Sequence, residues 1–302
     1  MASVALMDAR SIAATAVNGG WLTPATEVDY DDSTPEYHYD KTLYAKTVYN
    51  GFGHPKPETE LRLGPNITDW PEMIALQKNA LLEVVSVIPD SVTTTDELIP
   101  SGDTSSYRSN PIRMADFTLS RRDPAYVDRA KAVRDLELSR QSGKPSPELE
   151  TLARQVLDAV GLSGDAASFL GETCLGSVVC SNRTGDGSAR EQAASCQRVL
   201  GGLANICVEY ATKRYRSNLV NWGMIPFTWD GDPAERFSPG DRIFIPGVYE
   251  AVRSQAARVE AWLIPAGGSA EKITLELKAL APEEAAIILA GCLINYYAGA
   301  SD

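Results

Sequence analysis

At 302 residues, with 44% hydrophobic residues, 23% charged residues and a formal net charge of -12, the chain has the composition of a soluble globular protein with one large or two modest domains. The negative balance opposes nonspecific binding to nucleic acid or to an anionic membrane surface, because counterion release needs clustered Lys and Arg, so neither is expected as a partner. The cysteines (Cys174, Cys180, Cys196, Cys207, Cys292) form no Cys-x-x-Cys pair and sit mostly in apolar segments, which reads as reduced core thiols in a cytoplasmic protein. Besides them there are only His38 and His54, and no metal site is expected within the chain.

Met1 to Ala16 is small and apolar, but Asp8 and Arg10 interrupt it and no basic leader precedes it, so it does not read as a secretion signal. Ser11 to Ala16 reads as the end of a helix stopped by Asn18-Gly19-Gly20. Thr23 to Thr59, rich in Asp, Pro, Thr and Tyr (Tyr30, Tyr37, Tyr39, Tyr44, Tyr49), shows no sustained period and is expected to be an extended arm lying on a surface. Leu82 to Ile88 predicts a strand, followed by a polar loop from Pro89 to Thr95. Ala125 to Ser139 and Pro147 to Val160 predict helices, the second capped by Ser146 and stopped by Gly161.

A buried strand is expected over Leu175 to Cys180, then a turn carrying Gly185 and Gly187, then a helix opening with Ser188, Ala189, Arg190 and Glu191 and running to Leu200 before Gly201-Gly202. Ala204 to Val208 predicts a short strand and Thr212 to Trp222 a helix stopped by Gly223. Arg242 to Pro246, Ala257 to Ile264 and Lys272 to Leu277 predict late strands, the last two joined as a hairpin around Ala266-Gly267-Gly268. A closing helix is expected from Pro282 to about Tyr297. Its uncharged run is too short to span a membrane. The alternation implies an α/β layered domain.

The stretch Ser181 to Arg190 draws the rest together, because a strand, a Gly-x-Gly turn and a helix start would aim free backbone N-H groups at one point, an anion site with Ser188 at its mouth and Arg190 beside it. The turn lacks the Lys-Ser/Thr of a nucleotide P-loop, the third glycine of a dinucleotide fingerprint and the Gly-x-Ser-x-Gly of a nucleophile elbow. Taken alone, Asp96 and Arg108 would be a surface ion pair. The cluster Arg108, Arg113, Arg121, Arg122 and the run Lys213-Arg214-Tyr215-Arg216 would be solvated faces.

Three pieces in order carry more than any one of them. Thr94 to Gly102 (Thr-Thr-Asp-Glu-Leu-Ile-Pro-Ser-Gly), Ser106 to Asn110 (Ser-Tyr-Arg-Ser-Asn) and Gly185 to Gln192, followed by Gly201-Gly202, resemble the C-terminal swivel domain of the aconitase family, as found in bacterial aconitate hydratases. The resemblance covers about Leu81 to Tyr297. It implies an α/β swivelling domain of the β/β/α kind over residues 81–302, an interdomain linker arm over 23–80, and the end of the preceding domain's last helix over 1–22.

The resemblance also implies roles. Ser188 becomes the base that takes a carbon-bound proton from citrate or isocitrate, Arg190 its stabiliser, Asp96 a supporting carboxylate, and Arg108, Gly187 and Ala189 substrate contacts. At Ala189 the family commonly has a second serine, so the exact hydroxy-acid substrate stays open. The implied reaction, a tricarboxylic acid cycle step, passes through cis-aconitate. The implied cofactor is a four-iron four-sulfur cluster held by upstream domains, which are the implied partner, as separate domains of one polypeptide or as a large subunit. The chain reads as a fragment of a longer protein, with a split small subunit as the alternative.

Magnitudes explain why the chain is expected to be inactive alone. An alcohol is about as weak an acid as water, with a pKa of about 15.7, so an alkoxide near neutral pH costs on the order of 11 kcal/mol. A helix terminus offers at most about 2 kcal/mol. Other readings are a hydro-lyase acting on homoaconitate, methylcitrate or isopropylmalate, and a noncatalytic carboxylate-binding or interaction module.

Overall fold

The computed structural model describes residues 4–29, 33, 36–47, 51–278 and 280–299. Tyr30 and Tyr49 of the expected arm, and Met1 to Ser3, lie outside the described residues. The chain divides into two units, residues 1–61 and 62–302.

In the first unit α1 (Ala9–Val17) is capped by Asp8, whose carboxylate accepts from the N-H groups of Arg10 and Ser11. The Ser11 hydroxyl donates to the same carboxylate and holds it below the usual range. The chain then folds back on the helix: the Thr23 N-H donates to Thr15 Oγ1 at 3.1 Å and the Ala25 N-H to Ser11 Oγ at 3.1 Å. Among the described residues that follow are a 3-10 turn (Ala25–Glu27) and a short α2 (Thr42–Thr47).

In the second unit the described strands are β1 (Asn79–Ile88), β2 (Thr93–Thr94), β3 (Thr173–Asp186), β4 (Gly202–Tyr210), β5 (Ile225–Thr228), β6 (Arg242–Ile245), β7 (Arg258–Ile264) and β8 (Glu271–Glu276). The helices are α3 (Thr95–Leu98), α4 (Pro111–Ala115), α5 (Tyr126–Gln141), α6 (Pro147–Ala159), α7 (Ala166–Glu172), α8 (Arg190–Val199), α9 (Lys213–Asn221), α10 (Pro233–Arg236), α11 (Val248–Arg253), α12 (Pro282–Ala290) and α13 (Leu293–Gly299). The fold is α/β, as the sequence pattern implies.

Strands β1, β3, β4 and β5 pair in parallel, while β1, β6, β7, β8 and β5 follow one another antiparallel, so the sheet closes into a barrel with β2 added at the end of β3. Alternation sorts the side chains into separate cores. Leu82, Val84, Val178 and Cys180 face the barrel interior with Phe227, Ile243 and Leu275. Val85 and Val179 face outward against α4, α5 and α8, and Leu81 and Leu175 against α6 and α7. Because β3 is covered on both faces, Thr173 to Ser181 is buried throughout.

The structure corrects the sequence reading at four places. First, β3 continues six residues beyond Cys180, because Arg183 and Thr184 pair with Glu209 and Tyr210 of β4, and Thr184 and Asp186 with β2. Main-chain ladder bonds carry the strand through residues whose polarity suggests a loop. Second, the same pairing makes Thr93-Thr94 a strand inside the expected polar loop. Third, Ile225–Thr228, to which the sequence reading assigns no element, forms β5 by pairing with β4. Fourth, the closing helix breaks in two. The Ala290 carbonyl accepts from Asn295 Nδ2 at 2.9 Å and the Gly291 carbonyl from Arg198 Nη2 at 3.2 Å, so side chains occupy the acceptors that a continuing helix needs.

Phe227 is fully buried within the barrel. Phe227→Ala is expected to lower the unfolding free energy by about 3–5 kcal/mol in urea titration, against less than about 0.5 kcal/mol for Val208→Ala at a partly exposed position of β4.

Candidate functional site

Pairing of β2 with the end of β3 brings two distant pieces of sequence together. Thr94 caps α3, accepting from the Glu97 N-H at 3.2 Å, while the Glu97 carboxylate accepts from the Thr94 N-H at 2.7 Å. This closed capping box fixes Thr95 against the turn after β3. A Cβ on Gly187 (φ +134°) would lie 2.1 Å from Thr95 Oγ1, and one on Gly185 (φ +88°) 2.2 Å from the Tyr215 ring. Only glycine fits at either position. Tyr215 is itself fixed, its phenol oxygen accepting from Gln197 Nε2 at 2.9 Å and Asn205 Nδ2 at 3.1 Å.

The helix does not open at Ser188. It begins at Arg190 with Ala189 as N-cap, and Gly187, Ser188 and Ala189 form the turn. A hydroxyl or carboxylate at the cap normally accepts from the first turn, and Ala189 makes no such bond. The first-turn N-H groups of α8 are therefore open to a ligand.

Ser188 is exposed and forms the shared wall of two clefts. One, of about 210 Å³, is lined by Ser101, Thr104, Arg108, Met114, Ala189 and Gln192. The other, of about 360 Å³, is lined by Arg190, Glu191, Lys213, Arg214, Ser217 and Asn218. Arg108 thus lines one of the serine's clefts and Arg190 the other.

Ion pairing separates these cations from their neighbours. Arg113 pairs with Asp116 at 3.6 Å, Arg121 with Asp103 at 2.6 Å and Asp96 at 3.2 Å, and Arg122 with Asp90. Arg216 turns away to Glu284 at 2.8 Å. Among the described residues Arg108, Arg190, Lys213 and Arg214 have no carboxylate partner, and Arg190 Nε is buried without an acceptor.

Asp96 lines neither cleft. It is exposed on α3, its carboxylate turned to Arg121. Sequence reasoning missed Thr104 and Gln192 as lining residues, and it read Lys213 and Arg214 as a solvated face. Thr212 is the one local signal: as N-cap of α9, accepting from the Tyr215 N-H at 3.1 Å, it fixes where the two cations emerge.

Glu191 sits beside Arg190 in the larger cleft, and burial pushes its carboxyl above the usual range against the lowering effect of bonds to Ser195 and Trp222. The cysteines are all buried. Burial pushes the thiols of Cys174 up to about 11 and of Cys196 and Cys207 up to about 12, and raises Cys180 as well. Among the described residues no group of three or more His, Cys, Asp or Glu is placed to hold a metal ion, so the residues present do not fit an iron-sulfur cluster.

The fold and site define an α/β barrel domain that presents a serine between two cationic clefts at a helix start, an arrangement suited to a small polyanion. No family model matches the chain. It is 32% identical over 120 residues to "Putative aconitate hydratase, mitochondrial" of Emericella nidulans, a match covering 39% of this chain and 15% of that protein. It is also 32% identical over 123 residues to the protein of the same name from Aspergillus fumigatus, covering 40% of this chain and 15% of that protein. The matches thus span only 15% of the length of these curated relatives. Among solved structures, 3-isopropylmalate dehydratase from Methanocaldococcus jannaschii is 18% identical, with a TM-score of 0.42 over 75% of this chain and 96% of that one. Over these 120 or so residues the chain is similar in sequence to the putative aconitate hydratases of both fungi, which agrees with the resemblance carried by the ordered motifs from Thr94 to Arg190.

Two measurements check this site. Ala189→Ser, which restores a capping hydroxyl, is expected to raise stability by about 1 kcal/mol in urea titration. Since the Glu191 carboxyl binds its proton more tightly in the folded than in the unfolded chain, stability is expected to fall as pH rises from the ordinary carboxylate range through the raised value. Glu191→Gln is expected to remove that part of the slope.

Proposed function

We propose that this chain supplies the serine base and the carboxylate-binding cations of an aconitase-type hydro-lyase, which interconverts citrate and isocitrate through cis-aconitate. The observation that carries this reading is the position of Ser188 between two clefts whose cations lack carboxylate partners among the described residues. Arg190 is half-buried with its Nε lacking an acceptor, so an anion is favoured there, and a substrate with carboxylates at both ends also reaches the exposed Arg108 in the other cleft.

In this mechanism Arg108 takes one carboxylate, the Ser188 hydroxyl gives its proton to solvent, and Arg190 with the open N-H groups of α8 stabilises the resulting alkoxide. Ser188 Oγ then removes the proton from the carbon held between the clefts, and in the reverse direction returns it. Asp96 acts at a distance, by holding Arg121 away from the Arg108 cleft. Departure of the hydroxyl from the neighbouring carbon needs a Lewis acid, which in this reading belongs to upstream cluster-bearing domains, as part of the same polypeptide or as a large subunit. Homoaconitate or methylcitrate would use the same serine. Isopropylmalate is less favoured, because its alkyl group would face the unpaired Arg108.

In the enzyme assembled with those domains, Ser188→Ala is expected to lower kcat about 10²- to 10⁴-fold with little change in KM. Arg108→Gln is expected to raise KM. An unchanged rate in the serine variant would make the chain a binding module, and hydratase activity in the isolated, iron-free chain would overturn its dependence on partner domains.

A further inference from the structure

Arg108 lies in a loop whose own side chains secure it only at its two ends. Thr104 Oγ1 donates to the Pro100 carbonyl at 3.0 Å, and Asn110 caps α4 by accepting from the Arg113 N-H at 2.9 Å. Between them Ser105–Tyr107 form a single 3-10 turn without a side-chain cap. The Tyr107 N-H reaches the Thr104 carbonyl at 2.9 Å and the Asn110 N-H the Tyr107 carbonyl at 2.8 Å. Neither bond uses the carbonyls of Ser106 or Ser109, which flank Arg108. Arg108 itself is exposed and has no carboxylate partner among the described residues.

Both carbonyls are taken by a segment upstream of β1. Asn66 Nδ2 donates to the Ser106 carbonyl, and the Thr68 N-H to the Ser109 carbonyl at 3.0 Å. Thr68 Oγ1 also donates to Asn110 Oδ1 at 3.1 Å, and Asn110 Nδ2 to Asn66 Oδ1 at 3.5 Å. This strap is itself fixed. The Ile67 N-H closes a turn on the Gly64 carbonyl at 3.1 Å, and the Trp70 ring lies on Trp222 with centroids 4.4 Å apart. Further on, the Met73 carbonyl accepts from Asn295 Nδ2 at 2.6 Å and the Ile74 carbonyl from Arg198 Nη2 at 3.0 Å.

We propose that Asn66 and Thr68 are positioning residues for Arg108, holding its loop so that the guanidinium meets a substrate carboxylate in the Ser188 cleft; the inference rests on the hydro-lyase reading of that cleft. A guanidinium-carboxylate pair is planar and directional, and an arginine on a loose loop must give up backbone as well as side-chain freedom to form it. With the carbonyls of Ser106 and Ser109 tied down beforehand, only the side chain remains to be ordered on binding. A stretch expected only as a linker arm thus sets part of the affinity of the site.

Steady-state kinetics with citrate, on the enzyme assembled with the cluster-bearing domains, test this. Asn66→Ala is expected to raise KM about three- to tenfold, the scale of one lost hydrogen bond, with kcat within about twofold, and adding Thr68→Val to raise KM further. In an Arg108→Gln background Asn66→Ala is expected to change KM by less than about twofold, because the group it positions is gone. An unchanged KM in both strap variants, beside a Ser188→Ala variant that has lost its rate, would overturn the positioning role and leave the serine reading standing. Equal KM increases with and without Arg108 would overturn it as well, since they mark general structural support. An unchanged rate in Ser188→Ala would remove the hydro-lyase reading and this inference with it. In the full chain alone, amide hydrogen exchange at Tyr107 and Asn110 is expected to quicken at least about threefold in Asn66→Ala while the α8 amides keep their rates. Unchanged exchange, or an equal rise across α8, would overturn the local hold of the strap on the loop.

Discussion

A strand buried on both faces must satisfy every main-chain group through its neighbours, and β3 does so by pairing with β1 and β4 along its length and with β2 at its end. That pairing sets the position of everything that follows. Because β3 stays in the ladder as far as Asp186, the turn carrying Ser188 has three residues in which to reach α8 and no freedom to wander. The same ladder draws Thr93-Thr94 alongside, and α3 follows directly from it. The two motif segments, some ninety residues apart in sequence, meet through backbone hydrogen bonds before any side chain of the site is counted.

Around this fixed turn the usual local preferences are set aside. The N-cap of α8 is an alanine, Arg190 Nε has no acceptor, and four cations stand without carboxylates among the described residues, while the arginines a few positions away are paired. Among the described residues seven other helix starts carry a side-chain cap, with Asp8, Thr94, Asn110, Ser146, Asp165, Thr212 and Asp232 accepting first-turn N-H bonds, whereas Ala125, Gly247 and Ala281 supply none, as at Ala189. What sets Ser188 apart is that an uncapped helix start and unpaired cations coincide in the same two clefts, as a ligand-binding surface requires, since groups already paired to the protein have nothing left for a substrate. The buried Tyr215 with Gln197 and Asn205 beneath the turn gives the rigidity that the unpaired groups above it lack.

Arg198 plays a comparable part for the body of the domain. One side chain on α8 holds carbonyls of the segment before β1, the start of β4 and the end of α12, so helix and barrel are joined through a single buried cation. Burial lowers the proton affinity of its guanidinium, a measure of how little the surroundings offer in place of water. Its position on α8, the helix that begins at Arg190 just after the Ser188 turn, couples the stability of that junction to the orientation of the site.

Much was legible in the sequence where the signal is local. The periodicity of Pro147–Ala159 and Tyr126–Gln141, the Ser146 cap, the strands of the late hairpin and the α/β alternation all depend on residues within a few positions of one another. The ordered motifs likewise singled out Ser188, Arg190 and Arg108, all of which line the two clefts. Tertiary structure alone decided the rest. The polar residues from Ser181 to Asp186 became strand because β4 and β2 lie beside them, Pro226 entered a strand because its neighbours in the chain pair with β4, and the last helix broke because Arg198 and Asn295 took its carbonyls. The site followed the same division. The strand-turn-helix pattern marked Ser188 and Arg190, and the family resemblance marked Arg108, but which cations stay unpaired depends on carboxylates distant in sequence. Asp96 and Asp103 claim Arg121 and Glu284 claims Arg216, leaving Arg108, Lys213 and Arg214 to face Ser188, a distribution of charge that only the folded chain fixes.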